Sequence, residues 1–133
     1  MKDIRPALQS LLLGDAGVAA LVGTRVYPIR MPQGVKVASV VYTRISGDTD
    51  YKMEGASGYA RSRMQIVAWA PTADAATVLA NKVKDCLSGF TGAVGNPSVF
   101  IQGAFCTDER ELYDDVVQLY GVMRDYFVHH EEL

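Results

Sequence analysis

The chain predicts an α+β domain: a mostly antiparallel sheet with one long helix packed on a face and a short N-terminal helical hairpin. Three observations carry this. Strand-like runs adjoin one another, at Ala38–Ser46 with Tyr59–Ala70 and at Val99–Cys106 with Val116–Val128. One amphipathic run, starting at Thr72 or Asp74 and reaching about Ser88, has helical spacing. The element order is α-α-β-β-β-α-β-β, in which one long helix can cover one face of the sheet.

At the start, Asp3 is placed as an N-cap, followed by Ile4, Leu8, Leu11 and Leu12 at helical spacing, with Pro6 in the first turn. Gly14 stops this helix, and Asp15 caps a second that buries Val18, Leu21 and Val22 and ends at Gly23. Lys2 and Arg5 ahead of Leu11–Leu13 imitate a signal peptide, but Asp3 and Asp15 interrupt the pattern, and helices are expected instead. No run approaches the roughly 18 apolar residues of a membrane span.

Arg25–Arg30 is a short strand limited by Pro28 and Pro32, which cannot donate to a ladder; it belongs at an edge or at the entry to the sheet. Ala38–Ser46 alternates, with Val41, Thr43 and Ile45 on one face. In Tyr59–Ala70, Met64, Ile66 and Ala68 share a face opposite Arg61, Arg63 and Gln65. Between these strands lies Gly47–Gly58, GDTDYKMEGASG, expected as a long polar loop projecting from a single domain that spans residues 1–133. Structureless loops of about a dozen residues are uncommon and usually functional or disordered.

Pro71 ends the strand, and the main helix buries Ala76, Leu79, Val83, Cys86 and Leu87 before Gly89. Thr91–Pro97 reads as a turn-rich connection, and TDERELYDD as an acidic loop between the last two strands. The final strand is apolar on both faces, so it is central or covered by a partner.

The 133-residue chain is 49% hydrophobic and 21% charged, with a formal net charge of -2. That balance lacks the basic patch or stripe of a tight nucleic-acid binder. Cys86 and Cys106 are the only cysteines; they form no CxxC or zinc spacing and are read as reduced thiols.

Candidate chemistry fails in turn. Asp48, Asp50 and Glu54 suggest a calcium loop, but Lys52, Met53 and Tyr59 occupy positions that need an oxygen ligand, glycine and a bidentate glutamate. Asp108, Glu109, Glu111, Asp114 and Asp115 crowd one exposed turn with Arg110, where nothing splits their pKa values for acid–base work. His129 and His130 point to opposite faces of a strand and belong to a frayed C-terminus. A Cys86–His129 nucleophilic pair has no support in spacing. Tyr59, Arg61 and Arg63 form an aromatic–basic stripe, read as the outer face of a strand in preference to a single-strand binding platform. No catalytic, cofactor or metal residue is assigned. An interaction role is the stronger class.

The ordered motifs carry a resemblance. Arg25-Val26-Tyr27-Pro28 follows the helical hairpin, then come Pro32-Gln33-Gly34, Val40-Val41-Tyr42, Ser46-Gly47, Gly58, Ala60-Arg61, Gln65 and Trp69-Ala70. Glu109-Arg110, Tyr113-Asp114 and Tyr120 follow the long helix. This order resembles the tail-completion family of tailed bacteriophages, which includes the tail-to-head joining protein of siphophages and gene transfer agents.

The resemblance implies a non-enzymatic virion protein of the tail or neck, assembled in the host cytoplasm. It implies a homo-oligomer, a hexameric ring, that caps the tail tube, terminates its growth and joins tail to head. Its partners are then the tail tube protein and the head–tail connector, with DNA passing through the lumen unbound and no membrane involved. Another neck binding module is the alternative, and a small hydrolase the remoter one. The residues expected at subunit or partner contacts are Asp48, Asp50, Tyr51, Lys52, Met53, Glu54, Arg61, Arg63, Tyr113, Asp114 and Asp115.

Overall fold

A computed structural model describes residues 4–52, 55–95 and 98–131, with side chains outside 48–59. In chain order the elements are α1 (Arg5–Gly14), α2 (Ala16–Val22), β1 (Val26–Pro28), β2 (Ser39–Lys52), β3 (Gly55–Ala70), α3 (Ala73–Leu87), β4 (Gly92–Val94), β5 (Val99–Asp114) and β6 (Leu119–Glu131).

The predicted fold class is corrected. The chain is mostly β, 48% strand, and its six strands form one curled half-barrel, not a sheet with a single long helix on a face. The strand order is β1-β2-β3-β6-β5-β4, antiparallel except for the β1–β2 pair. Three helices share the covering of the concave side. Helix α1 touches both edge strands, β1 and β4, which is possible only because the sheet curls around it.

The physical reason for the correction lies in two polar segments. Gly47–Lys52 and Gly55–Gly58, expected as loop, belong to strands β2 and β3, with Asp48 opposite Arg61, Lys52 opposite Gly55 and an irregularity between Thr49 and Tyr51. The acidic stretch expected as a loop is the second half of β5, paired with β6 as far as Asp114 opposite Leu119. Ladder hydrogen bonds between neighbouring strands hold these segments extended despite low β propensity. β4 also forms within the stretch expected as a turn-rich connection.

The caps follow local chemistry. The Thr72 hydroxyl accepts from Ala75 N at 3.1 Å and starts α3, and Asp15 Oδ1 accepts from Val18 N at 3.1 Å and starts α2. The cap predicted at Asp3 lies outside the described residues; Ile4 occupies the N-cap position. Gly89 takes φ 74° after α3, a conformation cheap only for glycine.

The core sits between the helices and the concave face. Leu8, Leu12, Val18, Leu79, Val83 and Leu87 pack against Val40, Met64, Ile66, Val122, Tyr126 and Val128. Each such aliphatic side chain contributes about 1.5–3 kcal/mol by leaving water. Tyr42 Oη donates to Gln9 Oε1 at 3.2 Å, and Gln9 Nε2 to Val26 O at 3.2 Å, pinning α1 to the β1 side. Gly95 pins it to the β4 side: a Cβ there would stand 3.0 Å from Ala7 Cα.

Candidate interaction surface

Alternation along β3 and β6 turns Ala60, Ser62, Met64, Ile66 and Ala68 inward with Val122, Tyr126, Val128 and His130. It turns Arg61, Arg63, Gln65, Asp125, Phe127 and His129 to the convex face, which no helix among the described residues covers. Arg61 is exposed and lies over the Phe127 ring, 4.6 Å from its centroid. Arg63 Nη2 donates to Asp125 Oδ2 at 2.5 Å, and that hydrogen bond, with the charge of Asp125, raises the guanidinium further above its ordinary value. Phe105, about half exposed, meets His129 edge-on with ring centroids 5.7 Å apart. The convex face at this end of the sheet is therefore cationic and aromatic.

The opposite end of the sheet is acidic. Tyr113 is 53% exposed and tilts against Tyr120 at 4.8 Å. Asp114 Oδ1 accepts from Val116 N at 3.0 Å and Val117 N at 3.3 Å, which closes the β5–β6 turn. Asp115 is exposed in that turn, beside Val116 at 87% exposure.

The predicted contact residues thus fall into two groups. Arg61 pairs across to His129, whereas Tyr113 pairs through Tyr120 to Ala70. Nine residue-to-residue steps along β3 separate the two rows, about 30 Å at about 3.4 Å per step. One copy cannot bring both groups to one site. Asp48, Asp50, Tyr51 and Lys52 lie on the β2 backbone at the hairpin end, with their side chains outside the described residues; Met53 and Glu54 lie outside them altogether.

The C-terminal histidines are corrected. Neither is frayed: both belong to β6, and His130 is fully buried. Ser62 Oγ lies 2.8 Å from His130 Nε2, while His130 Nδ1 lies 2.8 Å from Glu131 O. Glu131 Oε1 accepts from Phe100 N at 3.1 Å. These bonds tie β3, β6 and β5 together at the root of the β2–β3 hairpin. A sequence signal existed: Ser62 interrupts the apolar phase of β3, and a buried hydroxyl needs a partner.

A second cluster also escaped the sequence. Arg124, 7% exposed, donates to Glu109 Oε1 at 2.6 Å and to Asn81 Oδ1 at 2.9 Å, joining β6, β5 and α3. Glu109 is therefore a structural partner and not part of a catalytic pair.

Cys86 and His129 are kept apart by the sheet, since α3 packs on the concave side and His129 is on the convex face. Burial first, then the Asp15 carboxylate, pushes the Cys86 thiol up to about 12. A thiol so protonated is a poor nucleophile. It borders a cleft of ≈ 360 Å³ between α1 and β4, lined also by Leu11, Asp15, Phe90 and Val94. Among the described residues, no three His, Cys, Asp or Glu side chains cluster as a metal site, and no helix is long and apolar enough to cross a membrane.

Comparison with known proteins gives a consistent picture. The family described as "Tail completion protein gp17" matches residues 6–130. A solved chain from the "Virion of native gene transfer agent (GTA) particle" is similar at TM-score 0.76 and 20% identity, covering 95% of this chain and 92% of that chain. A second solved chain is similar at TM-score 0.61 and 11% identity, covering 98% of this chain and 94% of the other. At those identities the likeness concerns the fold. Curated proteins give no match.

Proposed function

We propose a role for the protein from one premise: this chain belongs to the Tail completion protein gp17 family. That makes it a structural component of a phage or gene-transfer-agent tail. The finer role we propose is tail terminator. Copies of the chain form a ring on the last ring of the tail tube, stop further growth and present a surface to the head–tail connector. It acts without catalysis, and DNA passes through the ring without being read.

The observation that carries this reading is the β2–β3 hairpin. Its strands stay paired out to Lys52 and Gly55, beyond the last row shared with β6, Tyr59 with Glu131. An arm that outruns its own sheet, rooted by the buried Ser62–His130 bond, suits contact with a neighbour. The cationic convex face and the acidic β5–β6 turn supply unlike surfaces at opposite ends of one copy. Unlike surfaces make head-to-tail contacts, and head-to-tail contacts that close make rings. A net charge of -2 also leaves a conduit with little attraction for DNA.

Producing particles without the protein tests the role. The expected products are tails of unregulated length and heads without tails. Tails of normal length joined to heads would exclude it.

A further inference from the structure

Among the described residues, two long strand edges in this sheet lack a neighbour. β1 pairs with β2 only over Val40–Tyr42, and Ile29 N adds one bond to Tyr42 O. From Thr43 to Lys52, β2 has β3 on one side and, among the described residues, no strand on the other. β4 pairs with β5 only over Val99–Ile101, and Gly89 N adds one bond to Ala104 O. From Phe105 to Asp114, β5 has β6 on one side and, among the described residues, no strand on the other. The two free edges are equal in length and lie on opposite sides of one sheet. Long unpaired edges are a template for pairing with another chain.

Resting on the ring reading above, we propose that the free edge of β5 in one copy pairs antiparallel with the free edge of β2 in the next. Strand direction favours this. Across β2, β3, β6 and β5 every neighbour is antiparallel, so β5 runs opposite to β2. Rotation about a ring axis carries β2 of the next copy beside β5 with that opposition preserved, and the sheet continues its alternation. A two-fold contact of β2 with β2 would leave every β5 edge bare and could not propagate.

Charge favours the same choice. Apart from Glu109, which Arg124 holds within the copy, the β5 edge carries Asp108, Glu111 and Asp114 against Arg110. Arg44 lies on the receiving strand β2 and Arg61 on β3 behind it, whereas Arg63 is held by Asp125 of its own copy. Carboxylates then meet guanidinium groups across the seam.

The register fixes a further property. Arg44, Met64, Tyr126 and Cys106 lie in one row. From that row the free part of β2 runs toward the hairpin and the free part of β5 runs the other way. The two edges overlap only if each copy slides along its neighbour's strands. In a closed ring such a slide requires strands tilted to the ring axis. At a tilt of about 40°, four strands spaced about 4.8 Å apart give a slide of about 16 Å, or about five residues.

Cysteine cross-linking reads both the pairing and the slide. Ser46, on the convex side of β2, is changed to cysteine together with Asp108, Arg110 or Leu112 in turn, in chains whose Cys86 and Cys106 are alanine. The expected result is a ladder of covalent oligomers on oxidation of the assembled protein for one of these pairs, with each single-cysteine chain left unlinked. Dimers from Ser46→Cys alone, or assembly with no β2–β5 link at any pair, would overturn the pairing and leave the ring. Protein that stays monomeric with and without tail tubes overturns the ring reading and the pairing together. Amide exchange on the unaltered protein covers the case in which the variants fold poorly. Amides at Thr43–Gly47 and Phe105–Asp114 are expected to exchange at least about tenfold more slowly in the ring. Unchanged exchange at both segments in protein that sedimentation shows to be assembled would overturn the pairing.

Discussion

Ser62 Oγ and His130 Nε2 lie 2.8 Å apart at the root of the β2–β3 hairpin, both side chains fully buried. Serine and histidine at this distance form a nucleophilic pair in hydrolases, but reaching a substrate requires exposure. Here the pair is sealed beneath the sheet, and its other nitrogen faces the Glu131 carbonyl. Its role is structural. Ser62→Ala removes the hydroxyl and leaves His130 Nε2 buried without it. The expected loss is about 1–3 kcal/mol in denaturant unfolding. A change within about 0.5 kcal/mol, the size seen at ordinary surface sites, would contradict the assignment.

Gly121 faces Trp69 across β3 and β6, where a Cβ would stand 2.8 Å from the indole ring. Gly121→Ala is expected to destabilise by about 1–3 kcal/mol through overpacking. Trp69→Leu in the same chain should recover part of that loss, because it removes the obstructing ring. Equal loss in the single and double variants would show that the indole is not the obstacle.

The Cys86 thiol, pushed up to about 12 from an ordinary 9.0, predicts a pH dependence. Folding favours the protonated thiol. Its contribution is therefore fully present below pH 9 and is lost as pH rises from 9 toward 12. At pH 8 the native thiol should alkylate about a hundred- to a thousandfold more slowly than the same thiol in denaturant. Labelling by iodoacetamide followed by peptide mass analysis measures this. Comparable rates in the two states would contradict it.

These sites differ in how far the sequence reveals them. The ends of α2 and α3 were legible because Asp15, Thr72 and Gly89 act locally. The inward phase of β3 was legible from Met64, Ile66 and Ala68, which recur at period two. The acidic half of β5 was not. Its charged side chains resemble a loop, and what holds it extended is pairing with β6, a non-local contact invisible to local pattern. Gly47–Lys52 was missed for the same reason. The long helix was overvalued because its own stripe shows in sequence, whereas the curl that lets α1 reach both edges does not. His130 depends on partners on other elements, so residue type alone left it as a loose terminus, and Arg124, whose partners lie on β5 and α3, drew no reading at all.

Contact by the hairpin arm and the cationic face makes a separate prediction. Arg61→Glu, at an exposed position over Phe127, should leave the melting temperature within a few degrees and weaken assembly about tenfold or more. Replacing residues 49–58 with a two-residue turn should have the same signature. Sedimentation measures association, and thermal unfolding separates it from stability. Unimpaired assembly of both variants would move the contact away from this end of the sheet.

The central claim is tested most directly by imaging purified particles with this protein labelled at a single added tag. A terminator places label at one level only, as a ring where the tail meets the head, with none along the tube. Label distributed along the tail, or particles that lack it altogether, would contradict the account.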